Sequence, residues 1–298
     1  MERILVVANS KAGTLEQEAL EEALGVLRRA GDVEVRETSS PSELDEVLRS
    51  ADDRAVVVAG GDGSLHAVAN ALHRLDRLGS VRLGLVPLGT GNDFARGVGV
   101  PLDPGEAAEV IAAGRTCPTD VILSDDGVVV VNNVHLGVGA QASRAASKWK
   151  ARLGRFGYLV GAIGAGLKPD FIRVNVTVDG EDLMPGGHVA QVAIGNGPAV
   201  GGGTELIPGA DTTSGHLLVI VSRTVGPFSR LIYMARLKGG SHHLMKEVSR
   251  VHGKHVAVQG DDFWLTTDGE LSGPHQQRSW EVLPGAVDMF LPAAAPAL

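Results

Sequence analysis

The sequence holds a single cysteine, Cys117. One thiol cannot close an internal disulfide, which excludes a disulfide scaffold and points to a reducing compartment. Aromatic residues make up only 4% of 298 residues, and the 27 Lys and Arg are outnumbered by 35 Asp and Glu, for a net charge of −8. That balance excludes a general nucleic-acid binder, which would present a basic face. Long apolar runs are missing as well. The longest, Phe156–Leu167 (FGYLVGAIGAGL), is too short and too glycine-rich to span a bilayer. The opening MERILVVANS enters a strand pattern directly, without the shape of a signal peptide. His242 and His243 are adjacent and so point apart, which makes them a poor metal pair. The expectation is a cytoplasmic protein, soluble or at most peripheral at the inner face of a membrane.

What is present is a 44% hydrophobic chain with 40 glycines, ample for a large core cut by tight turns. The first hundred residues alternate strand and helix patterns: strands at Ile4–Ser10, Val33–Thr38, Ala55–Gly60 and Arg82–Gly89, helices at Leu15–Ala30, Ser40–Ala51 and Ser64–Leu78. Such alternation implies a parallel sheet covered by helices, a Rossmann-like three-layer α/β domain. After about Cys117 the pattern changes. Asp170–Glu181 (DFIRVNVTVDGE) alternates cleanly and ends in an Asp179-Gly180 hairpin signal, and further strand patterns follow. A mostly antiparallel β-sandwich domain is expected there. The boundaries are 1–120 for the α/β domain and 121–275 for the β domain, with 276–292 returning to complete the first.

Two strand-to-helix junctions carry chemistry. In AVVVAGGDGSLHAVANA, Gly60, Gly61 and Gly63 remove side chains where a phosphate can approach backbone amides at a helix mouth. Ser64 is placed to cap that helix and touch a phosphate. Asp62 would repel a phosphate, so it acts through a Mg²⁺ ion or as a proton acceptor; the plain alternative is an Asp capping an ordinary turn. In PLGTGNDFAR, Thr90 and Asn92 can hydrogen-bond phosphate or ribose oxygens. Asp93 stays open between a helix cap and a contact to a polar substrate. The two junctions together are far more specific than either alone.

With VVANSKAG, VVVNNVHLGVGAQAS, GNGPAVGGGTELIPGAD and TTDGELSG, which follow in order to about Gly273, these stretches resemble the diacylglycerol kinase catalytic domain family. That family includes bacterial lipid kinases and sphingosine kinases and shares its fold with NAD kinases. The resemblance implies ATP-dependent, Mg²⁺-assisted phosphorylation of a lipid hydroxyl, with the acceptor entering between the two domains. It implies nucleotide contacts from Asn9, Thr38, the Gly60–Gly63 loop, Thr90 and Asn92. It also implies an acidic role beside the transferred phosphate for Asp268 and Glu270 of the D-G-E motif, which by itself would be an ordinary hairpin turn. Asp268 is favoured as the base, with Asp62 nearer the Mg²⁺. Diacylglycerol, a sphingoid base, a monoacylglycerol and a polyprenol all remain open as acceptors, and a homodimer is admitted without being specified.

The family pattern is broken in GADTTSGHLLVIV, where Ser214 and Leu218 stand at positions that are often acidic and only Asp211 remains. Too few hard oxygen ligands are left there for a structural Mg²⁺. Arg144, Lys148, Lys150, Arg152 and Arg155 beside the apolar Phe156–Val160 suggest contact with an anionic membrane surface. The rival functions are an NAD kinase-type enzyme and a nucleotide- or lipid-binding protein whose catalysis has decayed.

Overall fold

A computed structural model describes residues 2–10, 13–137, 171–224 and 226–293. The chain opens with four parallel strands, β1 (Glu2–Asn9), β2 (Gly31–Thr38), β3 (Ala55–Gly60) and β4 (Arg82–Pro87), lying in the order β2-β1-β3-β4. Between and after them come helices α1 (Thr14–Ala30), α2 (Pro41–Arg49), α3 (Asp62–Arg74), α4 (Asp93–Val98) and α5 (Pro104–Ala112). Alternate residues of β1 serve opposite faces of the sheet. Ile4 and Val6 pack with Leu20, Leu24 and Leu27 of α1 and Ile111 of α5, whereas Leu5 and Val7 pack with Leu44 and Leu48 of α2 and Leu65 and Leu72 of α3. The result is the expected three-layer domain. Ser40 caps α2, its hydroxyl accepting from the Glu43 amide at 3.4 Å, with Pro41 at the first helical position. Ser64 does not cap α3. That helix begins two residues earlier, because the Gly61 carbonyl already accepts from the Ser64 and Leu65 amides.

The second half is mostly antiparallel. Its strands are β5 (Thr116–Ser124), β6 (Val129–Val130), β7 (Asn133–Gly137), β8 (Ile172–Val178), β9 (Glu181–Val189), β10 (Gln191–Gly195), β11 (Ala199–Val200), β12 (Thr204–Glu205) and β13 (Leu217–Ser222). After one helix, α6 (Pro227–Lys238), come β14 (Val248–Gly253), β15 (His255–Thr267) and β16 (Glu270–Phe290). They run in the order β14-β13-β10-β7-β15-β16, with β8 and β9 beyond β15. Ile172, Val174, Val176 and Val178 are buried, as their alternation requires, in a core shared with Phe263, Leu265 and Trp280. Asp179 and Gly180 form the expected two-residue hairpin, at φ 52° and 86°. The stretches HVAVQG and FWLTTDG, each a separate strand by pattern, join into the single β15. A register irregularity between Gln259 and Phe263 absorbs the polar residues between them.

One strand connects the two halves. β16 pairs with β15 along its first part and with β5 further on, and at Asp288 and Met289 it lies parallel to β4. The parallel and antiparallel sheets therefore share one hydrogen-bonded framework. No helix among the described residues is long and apolar enough to cross a membrane. The basic stretch from Arg144 to Val160 lies outside the described residues.

Candidate active site

In an open parallel sheet the carboxyl ends of the strands form the ligand crevice, and here those ends carry Asn9, Thr38, Gly60 and the turn after Pro87. The two glycine loops touch. A Cβ on Gly61 would come within 3.0 Å of the Gly89 Cα, and one on Gly89 within 2.6 Å of the Gly61 Cα. Only glycine permits so close a backbone approach. Asn92 braces the junction from below, in a left-handed conformation (φ 52°), with Nδ2 donating to the Gly89 carbonyl at 2.8 Å. Its Oδ1 is buried without a hydrogen-bond partner, an acceptor still to be satisfied.

Two cavities adjoin these loops. One of about 520 Å³ is lined by Asn9, Thr38, Ser40, Gly63, Ser64 and His66, among others. A second, of about 250 Å³, is lined by Asn9, Gly60, Gly61, Ser64 and Gly89. Ser64 and Asn9 face both. Thr90 and Glu270 line neither of them: Thr90 is exposed on the second loop, and Glu270 is exposed at the first residue of β16.

The third cavity, about 200 Å³, is acidic. Asp62, Asp93 and Asp268 line it with Asn132, Asn133, His135, Gly201 and Thr266, and no Lys or Arg is among its lining residues. Asp62 caps a helix other than its own. Its carboxylate accepts from the Asp93 and Phe94 amides, each at 3.0 Å, and so holds α4 against the start of α3. Asp93 Oδ1 accepts from the Gly202 and Gly203 amides at 2.8 and 2.7 Å, which fastens the tip of the β11–β12 hairpin over the cavity. Asp268 occupies the turn between β15 and β16 at φ 45°. D-G-E is thus a hairpin turn, and that turn is what carries the Asp268 carboxylate inward.

The Asp268 side chain is only 1% exposed. Oδ1 accepts from the Asn132 and Asn133 amides at 2.9 and 3.1 Å; Oδ2 accepts from the Val131 amide at 2.8 Å and lies 2.9 Å from His66 Nδ1. A carboxylate has about four acceptor directions, and all are taken. His66 also lines the large cavity, so a single imidazole joins the large cavity to the acidic one. One turn further along α3, Asn70 donates to the Val129 carbonyl and accepts from the Val129 amide, both at 2.8 Å. It ties the helix to β6. Neither His66 nor Asn70 belongs to the glycine motifs that mark the site in sequence. Their i, i+4 spacing beside an apolar stripe is the signal that both serve one polar contact.

Burial pushes the Asp93 carboxyl up; the Gly203 and Gly202 amides pull against that, and the nearby Asp62 charge adds to the rise. His135 is fully buried, and burial alone pushes its imidazole down to about 4. It is therefore neutral in the folded protein. As pH falls below about 6.5 the unfolded chain gains a proton that the folded chain does not, so stability is lost on acidification, by on the order of 3 kcal/mol near pH 4. Urea titrations between pH 7 and 4.5 should show this loss, and His135→Gln should flatten it.

The sequence comparisons match the chain in two parts. Residues 3–124 match the diacylglycerol kinase catalytic domain and residues 132–291 match the YegS C-terminal NAD kinase beta sandwich-like domain. A Klebsiella pneumoniae protein described as "Probable lipid kinase YegS-like" is 32% identical over 307 residues, covering 99% of this chain and 97% of its own. The chain belongs to the diacylglycerol kinase catalytic domain family. A Salmonella arizonae member, "Probable lipid kinase YegS", is 31% identical with the same coverage. A diacylglycerol kinase structure from Bacillus anthracis superimposes with a TM-score of 0.80 at 25% identity, covering 98% of each chain. Yeast NADH kinase, at 0.51 and 12% over 97% of this chain and 82% of its own, shares the fold alone.

Leu218 is buried in a cluster with Ala193 and Ile220. Ser214 closes its own turn, donating to the Asp211 carbonyl at 2.9 Å or the His216 carbonyl at 3.0 Å, and Asp211 Oδ1 accepts from the Thr213 amide and hydroxyl. The buried Asp120 accepts from the Gly215 amide at 2.6 Å and the Gly285 amide at 2.8 Å, joining this loop to β16. Among the described residues no group of three or more His, Cys, Asp or Glu is placed to hold a metal ion.

Proposed function

We propose that the protein transfers the γ-phosphate of ATP, presented as its magnesium complex, to the hydroxyl of a membrane lipid of the diacylglycerol type. The observation that carries this reading is the linkage of three cavities: Gly61 and Gly89 touch and line the second, Asp268 lines the acidic one, and His66, bonded to Asp268, lines the large one. Asn9 and Thr38 would hold the nucleoside in the larger cavity. Amides of the Gly60–Gly63 loop, with Ser64, Thr90 and Asn92, would receive the phosphates.

Phosphoryl transfer asks the protein mainly to position groups and neutralise charge. Mg²⁺ is held by one or two carboxylates plus substrate phosphates rather than by an all-protein cage, so the thin donor set fits. Asp62, on the phosphate side and with acceptor capacity beyond its two amide bonds, is the carboxylate for it. The proton acceptor must have a free lone pair. Asp268 has none, so we move that role from Asp268 to Glu270, which is exposed one residue beyond the cavity-lining Gly269. Asp268 becomes a positioning residue that sets β7, α3 and the hairpin in register. Asp93 holds the glycine hairpin and keeps its second oxygen for a polar headgroup.

Radiolabelled ATP with a panel of diacylglycerol, monoacylglycerol, sphingoid base, polyprenol and NAD tests the reading. Label is expected in a lipid alcohol, diacylglycerol foremost. Label in NAD alone would make the protein a nucleotide kinase; ATP binding with no labelled product at any Mg²⁺ concentration would make it a binding protein.

A further inference from the structure

Away from the crevice, exposed apolar surface is concentrated in one stretch. Among the described residues the large apolar side chains left exposed are Leu15, Leu102, Phe228, Ile232, Met234 and Leu244, with Phe228 83% and Leu244 70% exposed. Four of these six belong to α6 and the turn that follows it. The inner face of α6 is held by Tyr233 and Leu237. Tyr233 is buried and donates its hydroxyl to Gln191 Oε1 at 3.2 Å, and Leu237 packs on Leu206 and Ile220. Phe228 and Ile232, also four residues apart, lie on the other side of the helix and face solvent. An aromatic and an aliphatic side chain are thus left in water on a helix whose other face is well anchored.

The same stretch reverses the charge of the protein. From Thr212 to Gly260 the sequence carries seven Lys and Arg and one acid, Glu247, in a chain of net charge −8. Arg223, Arg236, Lys246 and Arg250 are exposed. The stretch also adjoins the acid cavity. Gly240, past the end of α6, lies against the Glu205 carboxylate of β12, and His242 Nε2 is 2.9 Å from the Leu206 carbonyl. The β11–β12 hairpin so gripped carries the Gly202 and Gly203 amides that bind Asp93, and its Val200 and Gly201 line the cavity.

We propose that α6 and its following turn dock the protein on an anionic bilayer, with Phe228, Ile232 and Leu244 entering the interface and Arg223, Arg236 and Lys246 meeting the headgroups. An apolar strip alone would suit a second copy of the chain. Its combination with local positive charge, on a protein otherwise acidic, is the chemistry of an interfacial helix. The proposal rests on the lipid kinase reading for its purpose, since a face beside the β11–β12 hairpin brings the acceptor to the acid cavity.

The test uses the full chain in sedimentation with phosphatidylcholine vesicles, with and without phosphatidylglycerol. Binding is expected to require phosphatidylglycerol and to weaken with salt. It should fall at least about tenfold in the double variant Phe228→Ser/Ile232→Ser and about fivefold in Arg236→Glu. These are surface positions, so both variants should keep the parent melting temperature and turnover on a dispersed short-chain diacylglycerol, while turnover on vesicle-embedded lipid falls. Equal vesicle binding by the parent and the double variant overturns the proposal. So does a parent dimer in solution that the double variant splits, which would make a second copy the occupant. Binding through Phe228 and Ile232 without phosphorylation of any lipid supports the docking face and sinks the kinase reading instead, so the two failures are told apart.

Discussion

Glu270→Gln is expected to lower kcat by about 10²–10⁴-fold, the usual contribution of a positioned acid–base group, with ATP affinity and melting temperature unchanged. The amide keeps the size of the side chain and cannot take up the acceptor proton. Glu270 is exposed and, beyond its backbone pairing with Thr267, its side chain enters no hydrogen bond or ion pair among the described residues, so its replacement leaves no buried group unsatisfied. Asp62→Asn should behave differently. It still offers one oxygen to the α4 amides, but it loses the charge that would meet Mg²⁺, so the Mg²⁺ concentration needed for half-maximal rate should rise together with the fall in kcat. Single-turnover measurements across Mg²⁺ concentration separate the two effects. A Glu270→Gln enzyme with near-normal kcat, beside an Asp62→Asn enzyme inactive at every Mg²⁺ concentration, would move proton acceptance to Asp62.

The legible parts of this molecule are those whose causes are local. Ile4, Val6, Leu20 and Leu24 announce a strand and a helix by their spacing, and Gly60-Gly61 and Gly89 announce bare backbone at the ends of strands. Such signals fixed the layered α/β half, the alternating strands of the β half and the two phosphate-type loops. Polar contacts between distant segments left no comparable trace. Asp62 has the look of a cap for its own helix, yet it caps α4, some thirty residues further along the chain. Asp268 has the look of a free acid, and its saturation by the Val131, Asn132 and Asn133 amides depends on β7 pairing with β15. His66 gains its role only because that same turn arrives beside α3. Tandem Asn132-Asn133 in an otherwise β-branched run was the one available hint, since Asn is disfavoured in strands and two together imply a polar duty. Both donate through Nδ2 to the Ala199 carbonyl, at 2.8 and 2.9 Å.

Asp268→Asn should therefore damage stability as well as rate, the opposite pattern to Glu270→Gln. Four donors converge on the Asp268 carboxylate in a site closed to water. An asparagine can answer only part of them, and its own NH₂ is forced against N–H groups that have no other acceptor. Charge-assisted hydrogen bonds are the stronger ones, and a buried donor left unpaired carries its full desolvation penalty. The variant is expected to lose at least about 3 kcal/mol of unfolding free energy, seen as a lower urea midpoint at unchanged m-value. Its kcat should fall too, because α3, β7 and the β15–β16 hairpin are held in common by this one side chain. His66→Asn keeps a donor near the Nδ1 position and should show a smaller version of both effects; His66→Leu, which removes the donor, should approach Asp268→Asn. A positioning role requires rate and stability to follow this order of donors kept and lost. If Asp268→Asn instead loses activity with no change in urea midpoint, the four hydrogen bonds are not what the carboxylate is for, and Asp268 returns as the proton acceptor.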